Sequence, residues 1–141
     1  MLIDCWENEP NISTELLNES IIATPHIAGF SADGKANGTR MCLEAIAKEY
    51  NWEITNLDTL IQLPLPLNPV VDLNKFLDDR IENAILTTFS ALSEDKRLRE
   101  FPDKFEYLRA NYENPREFHA YKIINATNEE KRILKKMGFL I

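Results

Sequence analysis

The sequence predicts an α/β protein, and three observations carry that prediction. Ile21-Ile22-Ala23-Thr24 is a short, β-branched, apolar run, the pattern of a buried parallel strand. It passes through Pro25, His26 and Gly29 into a long stretch with apolar residues at helical spacing. Near the other end, Phe118 to Ile124 reads as a strand, and Thr127 with Glu130 forms a capping box that opens a final helix. Strand, turn and helix in that order make half of an α/β unit.

Taken in order, Met1-Leu2-Ile3-Asp4 looks like the end of a buried strand with no earlier element to pair with. The expectation is therefore that a segment upstream is missing. Glu7 to Asn18 is a polar loop with one helical turn over Ser13 to Leu17. Ser31 suits the N-cap of the long helix and Asp33 its positive end. Ala36, Leu43, Ile46, Ala47 and Tyr50 fall on one face, and Asn51 is the stop. The tract LIQLPLPLNP, Leu60 to Pro69, alternates leucines with prolines, which cannot donate to a ladder, so it is an edge strand or an extended linker. Asp72 then caps a second long helix with an apolar stripe from Leu73 through Ile81 and Ile85 to Leu92. A further helix carries Phe105, Leu108 and Tyr112. Gly138 ends the last helix, and the apolar tail Phe139-Leu140-Ile141 should dock on the body of the protein. The division that follows is residues 1–51, a linker or edge strand at 52–69, and a second domain at 70–141.

Composition narrows the function. The chain has 141 residues and a net charge of −7, which argues against a general nucleic-acid binder. No apolar run approaches the roughly 20 residues of a membrane helix, and no signal peptide is visible. Cys5 and Cys42 match no metal spacing and suit a reducing compartment, so a cytoplasmic protein is expected. His26 and His119 lie too far apart in the chain for a recognisable metal motif. Gly29, Gly34, Gly38 and Gly138 make no G-x-G-x-x-G, so the usual pyrophosphate cradle is absent from the sequence. Gly29 to Ala36 resembles a phosphate loop, but Ala36 stands where that loop needs a hydroxyl, and Asp33 would repel phosphate. The plainer reading of Gly34 and Gly38 is close backbone approach on one helical face.

The chemistry sits at strand ends. His26 follows the Ile21–Thr24 strand, and Glu9 follows the Met1–Asp4 strand. If the strands are parallel neighbours, both side chains reach the crevice where α/β folds place ligands. A carboxylate beside imidazole favours its protonated form, and such a pair suits reversible proton transfer to an alcohol oxygen. Spacing alone leaves open a hydrogen-bonded structural histidine. His119 has no comparable partner in sequence and reads as structural.

At these residues a resemblance appears. Ile3-Asp4-Cys5-Trp6-Glu7-Asn8-Glu9-Pro10, followed by Ile22-Ala23-Thr24-Pro25-His26-Ile27-Ala28-Gly29, resembles the D-isomer-specific 2-hydroxyacid dehydrogenases. The continuation from Phe30 to Thr39 is similar to one subfamily, which acts on a small phosphorylated 2-hydroxy acid. The resemblance implies the C-terminal part of a Rossmann-type NAD-binding domain followed by a small α/β dimerisation domain, and hence a homodimer. It implies His26 as proton donor and acceptor, Glu9 as the group that orients it, and Asp4 at the nicotinamide end of NAD. It also implies close approach of cofactor or substrate at Gly29, and substrate contact at Phe30, where the subfamily often has tyrosine. The family's catalytic arginine, glycine-rich loop and substrate domain belong upstream of the first motif, so this chain alone is expected to be inactive. Two alternatives stand beside this reading: a fragment of a glycerate- or phosphoglycerate-type dehydrogenase, and a stand-alone dimerisation module.

Overall fold

The computed structural model describes residues 1–56 and 61–141. In chain order the elements are β1 (Leu2–Ile3), α1 (Thr14–Glu19), β2 (Ile22–Ala23), α2 (Ala32–Glu49), β3 (Val70–Asp72), α3 (Arg80–Thr88), α4 (Ala91–Glu100), α5 (Phe105–Ala110), β4 (Lys122–Ile124) and α6 (Asn128–Lys136). Short 3-10 turns lie at Leu73–Lys75, Pro102–Lys104 and Phe118–Ala120. The chain forms two compact units, one of residues 1–29 with 89–113 and the other of 30–88 with 114–141. Each unit is discontinuous in the chain, unlike the sequential division at 51 and 69 that the sequence predicts.

In the first unit, β1 and β2 pair in parallel, Leu2 opposite Ile22 and Ile3 opposite Ala23. Helices α4 and α5 supply Leu98, Phe105 and Leu108 to a core shared with Trp6, Leu17 and Ala23. The Asp95 carboxylate of α4 accepts the Ala23 N–H at 2.7 Å, as a neighbouring strand's carbonyl would. Arg99 holds that carboxylate through Nε at 2.9 and 3.0 Å, and its other nitrogens donate to the Leu17 and Ser20 carbonyls. This network satisfies polar backbone that a two-stranded sheet leaves open.

In the second unit, β3 and β4 pair in parallel, Val71 opposite Ile123. Their core contains Val71, Leu73, Ala84, Ile123, Leu134 and Phe139. The expected capping box forms: Thr127 accepts the Glu130 N–H, and Glu130 accepts the Thr127 N–H at 2.7 Å. Gly138 has φ +104°, which an L side chain resists, so the helix ends there. Phe139 of the tail is buried and stacks on Phe118 with ring centroids 4.5 Å apart.

Several expected elements differ. The helix drawn from Asp72 to Leu92 is a 3-10 turn and two helices. Asp72 ends a strand, and its carboxylate caps only the turn, accepting the Asn74 N–H at 3.0 Å. Phe76 is extended, Asp79 has φ +46°, and Leu77 is 95 % exposed, so no continuous stripe exists. After α3, the Thr88 hydroxyl donates to the Ile85 carbonyl, the local competition that weakens helix continuation. Phe118 to Ala120 form a 3-10 turn, and only Lys122–Ile124 is strand. On α2, Leu43, Ile46 and Tyr50 are exposed and only Ala47 of the expected apolar face is buried within its unit. Residues 61–69 make no strand, and Leu65 and Leu67 are exposed; Leu60 lies outside the described residues. A Cβ built on Gly38 meets nothing within 4 Å, so no close approach requires glycine there. Among the described residues, no helix is long and apolar enough to cross a membrane.

Candidate acid–base site

Parallel pairing brings the C-terminal ends of β1 and β2 side by side. The loop after β1 is anchored by Trp6, which is buried and donates through its indole Nε1 to the Thr24 carbonyl at 2.9 Å. One turn on, Glu9 accepts the Trp6 N–H at 2.8 Å, so its carboxylate is aimed by its own loop. The loop after β2 turns at buried Pro25 and places His26 at φ +54° and Gly29 at φ +80°. A non-glycine residue with positive φ is uncommon and is held only where its surroundings fix it.

The two loops meet at Glu9 and His26. His26 Nδ1 lies 2.9 Å from Glu9 Oε2 and 3.1 Å from Oε1, with the side chains 38 % and 21 % exposed. Partial burial pushes the Glu9 carboxyl upward. Hydrogen bonds from His26 and the Trp6 amide, with the positive charges of His26 and Arg109, more than offset it and hold the carboxyl below its usual value. An ionised carboxylate only accepts, so Nδ1 carries a proton and Nε2 is the nitrogen that exchanges one.

Asp4 also joins this cluster. Its Oδ1 accepts the Thr24 hydroxyl at 2.7 Å and the Ile27 N–H at 2.8 Å, and its Oδ2 accepts the Ala28 N–H at 3.1 Å. It therefore staples the histidine loop to β1. Gly29 ends that loop in open space, since a Cβ there would meet nothing within 4 Å; its glycine is required by φ. Phe30 belongs to the other unit, where the Lys35 ammonium lies 4.6 Å from its ring centroid.

Two neighbours escaped the sequence reading. Arg109 of α5, half-buried, donates through Nε to the His26 carbonyl at 3.2 Å. Tyr112, just beyond α5, is pushed up to about 12 by burial, with the negative charges of Glu94 and Asp4 adding to it. No local pattern marks either residue's approach to the site, because both come from a segment distant in the chain.

In the other unit, the stretch that resembles a phosphate loop does different work. Ser31 Oγ accepts the Gly34 N–H at 2.7 Å, which uses an amide that a phosphate would need. Buried Asp33 accepts two bonds from Arg116 at 2.9 and 3.0 Å and the Glu117 N–H at 2.8 Å. His119 Nε2 lies 3.0 Å from the same carboxylate, a partner the sequence did not reveal. Desolvation raises the Asp33 carboxyl, but Arg116, the Glu117 amide and His119 together hold it below its usual value.

Fold and site define a mixed α/β protein with a carboxylate–histidine pair set at adjacent parallel strand ends. The chain belongs to the family described as "Domain of unknown function (DUF3410)", whose model matches residues 62–138. Among curated relatives it is 52 % identical over 140 residues to the erythronate-4-phosphate dehydrogenase of Porphyromonas gingivalis, covering 99 % of this chain and 38 % of that protein. It is 43 % identical over 123 residues to the Bacteroides thetaiotaomicron enzyme of that name, covering 87 % and 33 %. A Coxiella burnetii enzyme of the same name is 36 % identical over 125 residues, covering 86 % and 33 %. The chain thus spans between 33 % and 38 % of the length of these relatives.

Proposed function

We propose that these residues are the C-terminal portion of an erythronate-4-phosphate dehydrogenase, a cytoplasmic enzyme of pyridoxal phosphate (vitamin B6) biosynthesis. The reaction is NAD-dependent oxidation of 4-phospho-D-erythronate to 2-oxo-3-hydroxy-4-phosphobutanoate. The observation that carries this reading is the Glu9–His26 pair, at 2.9 Å, on a segment similar throughout to dehydrogenases of that name. His26 Nε2 takes the proton from the C2 hydroxyl during oxidation and returns it in the reverse direction. Glu9 holds the ring and stabilises the imidazolium that forms. Phe30 borders the substrate, without the hydroxyl that tyrosine would offer there.

The residues present do not by themselves fit a whole dinucleotide. No glycine-rich cradle exists in the sequence, and both Asp4 oxygens already accept hydrogen bonds from the histidine loop. Asp4 and Gly29 border at most the nicotinamide end, and the chain alone neither binds NADH nor turns over. The family match beginning at residue 62 supports a functional boundary within 52–69, with the C-terminal part of a Rossmann-type domain before it and a dimerisation domain after it. Homodimerisation through the second part belongs to the same reading.

The test is a chimera in which these 141 residues replace the matching segment of the Porphyromonas gingivalis relative. The chimera should oxidise 4-phosphoerythronate with NAD, and His26→Asn should lower kcat by about 10²–10⁴-fold. A folded chimera without turnover, or a His26→Asn chimera with full turnover, would remove the reading. NADH titration of the unmodified chain, followed by cofactor fluorescence, should show no binding.

A further inference from the structure

We infer that Arg109 is a positioning residue for the Glu9–His26 pair, pinning the His26 backbone through its Nε. The inference rests on the reading of that pair as the acid–base site and extends it to a residue inside the region matched by the family model.

His26 sits at φ +54°, a conformation that costs free energy for any side chain except glycine. Its amide neighbours Ile27 and Ala28 are held by Asp4, but these bonds secure only the downstream side of the residue. The His26 carbonyl is secured by Arg109 at 3.2 Å. A charged donor to a carbonyl is among the stronger hydrogen bonds, and a half-buried guanidinium strengthens it. Arg109 is itself placed by packing: Phe105 and Leu108 of the same short helix are buried in the first unit's core. The helix therefore delivers a fixed cation to a loop that it meets only in the folded state.

The groups around Glu9 are His26, the Trp6 amide and Arg109, and Asp4 holds the adjoining loop. Arg109 thus favours the ionised carboxylate, which keeps Nδ1 as donor and Nε2 as the exchanging nitrogen. One guanidinium secures the His26 backbone and adds positive charge beside the carboxylate that holds the ring.

The experiment is side-chain carboxyl and backbone amide NMR of the 141-residue chain across a pH titration. Arg109→Gln should raise the Glu9 titration midpoint and shift or broaden the amide signals of His26, Ile27 and Ala28. Arg109→Lys keeps the charge and loses the Nε geometry. It should leave the Glu9 midpoint near that of the native chain while the three amide signals still move. If Arg109→Gln unfolds the first unit, the lysine variant decides alone: unmoved loop amides overturn the inference. Unchanged Glu9 titration in a folded Arg109→Gln chain overturns it equally. Neither readout depends on turnover, so failure here leaves the dehydrogenase reading intact, and a dead chimera leaves this geometry standing.

Discussion

Each unit of this protein contains a carboxylate–histidine pair, and the two pairs are built for opposite ends. In the first, Glu9 and His26 are both partly exposed, at 21 % and 38 %, and the carboxylate's main side-chain partner is the imidazole. In the second, Asp33 is 6 % exposed and saturated: Arg116 grips both its oxygens, Glu117 adds an amide, and His119, 56 % exposed, is one partner among several. A buried carboxylate with a guanidinium partner fixes structure, and losing one member strands the other. A half-exposed carboxylate with imidazole as its chief partner costs little and leaves a nitrogen to exchange protons. A histidine–carboxylate distance near 3 Å therefore does not by itself indicate catalysis; the remaining partners of the carboxylate decide.

Arg116→Met should have the largest effect, about 3–5 kcal/mol off the second unit's stability, read by chemical denaturation with amide signals of both units followed separately. Leu98→Ala is the matched perturbation in the first unit, about 2–5 kcal/mol from a fully buried leucine, with the same signals reporting which unit melts. Smaller is Glu9→Gln, about 1 kcal/mol or less because the pair is partly exposed; a loss equal to that of Arg116→Met would make Glu9 a structural group. Acid sharpens the contrast. Asp33 and Glu9 both titrate below their ordinary values of 3.8 and 4.5 in the folded chain. Their stabilisation is complete above those values and is lost as pH falls through the lower folded values. Arg116→Met should flatten the acid limb for the second unit, as measured by denaturation midpoints between pH 5 and pH 2 (about these limits). Smallest, His119→Asn should cost a few tenths of a kcal/mol, since Asp33 keeps Arg116 and the amide.

Much of the site was legible because its parts are local. Glu9 lies three residues after Trp6, whose amide aims it, and His26 follows a short apolar strand, so two strand ends and one pairing rule bring them together. The capping box at Thr127 and Glu130 was likewise written in four adjacent residues. Where the reading failed, a longer range decided. The apolar spacing from Leu73 to Leu92 suits one helix, yet Leu73 is fully buried in a turn after β3 and Leu77 faces solvent. Periodicity counts apolar residues and cannot tell that a strand at Val70–Asp72 will pair with one near the other end of the chain.

The sequence by itself determined the α/β alternation, the helix caps at Ser31 and Thr127, the absence of a glycine-rich cradle, and the candidacy of Glu9 and His26. These follow from chemistry confined to a few neighbouring residues. Only the tertiary structure decided that Asp95 completes the edge of β2, that Arg116 and His119 share Asp33, and that Arg109 reaches the His26 carbonyl. Each of these contacts joins residues more than seventy positions apart, where nothing in local spacing carries the pairing and the packing of buried side chains sets it.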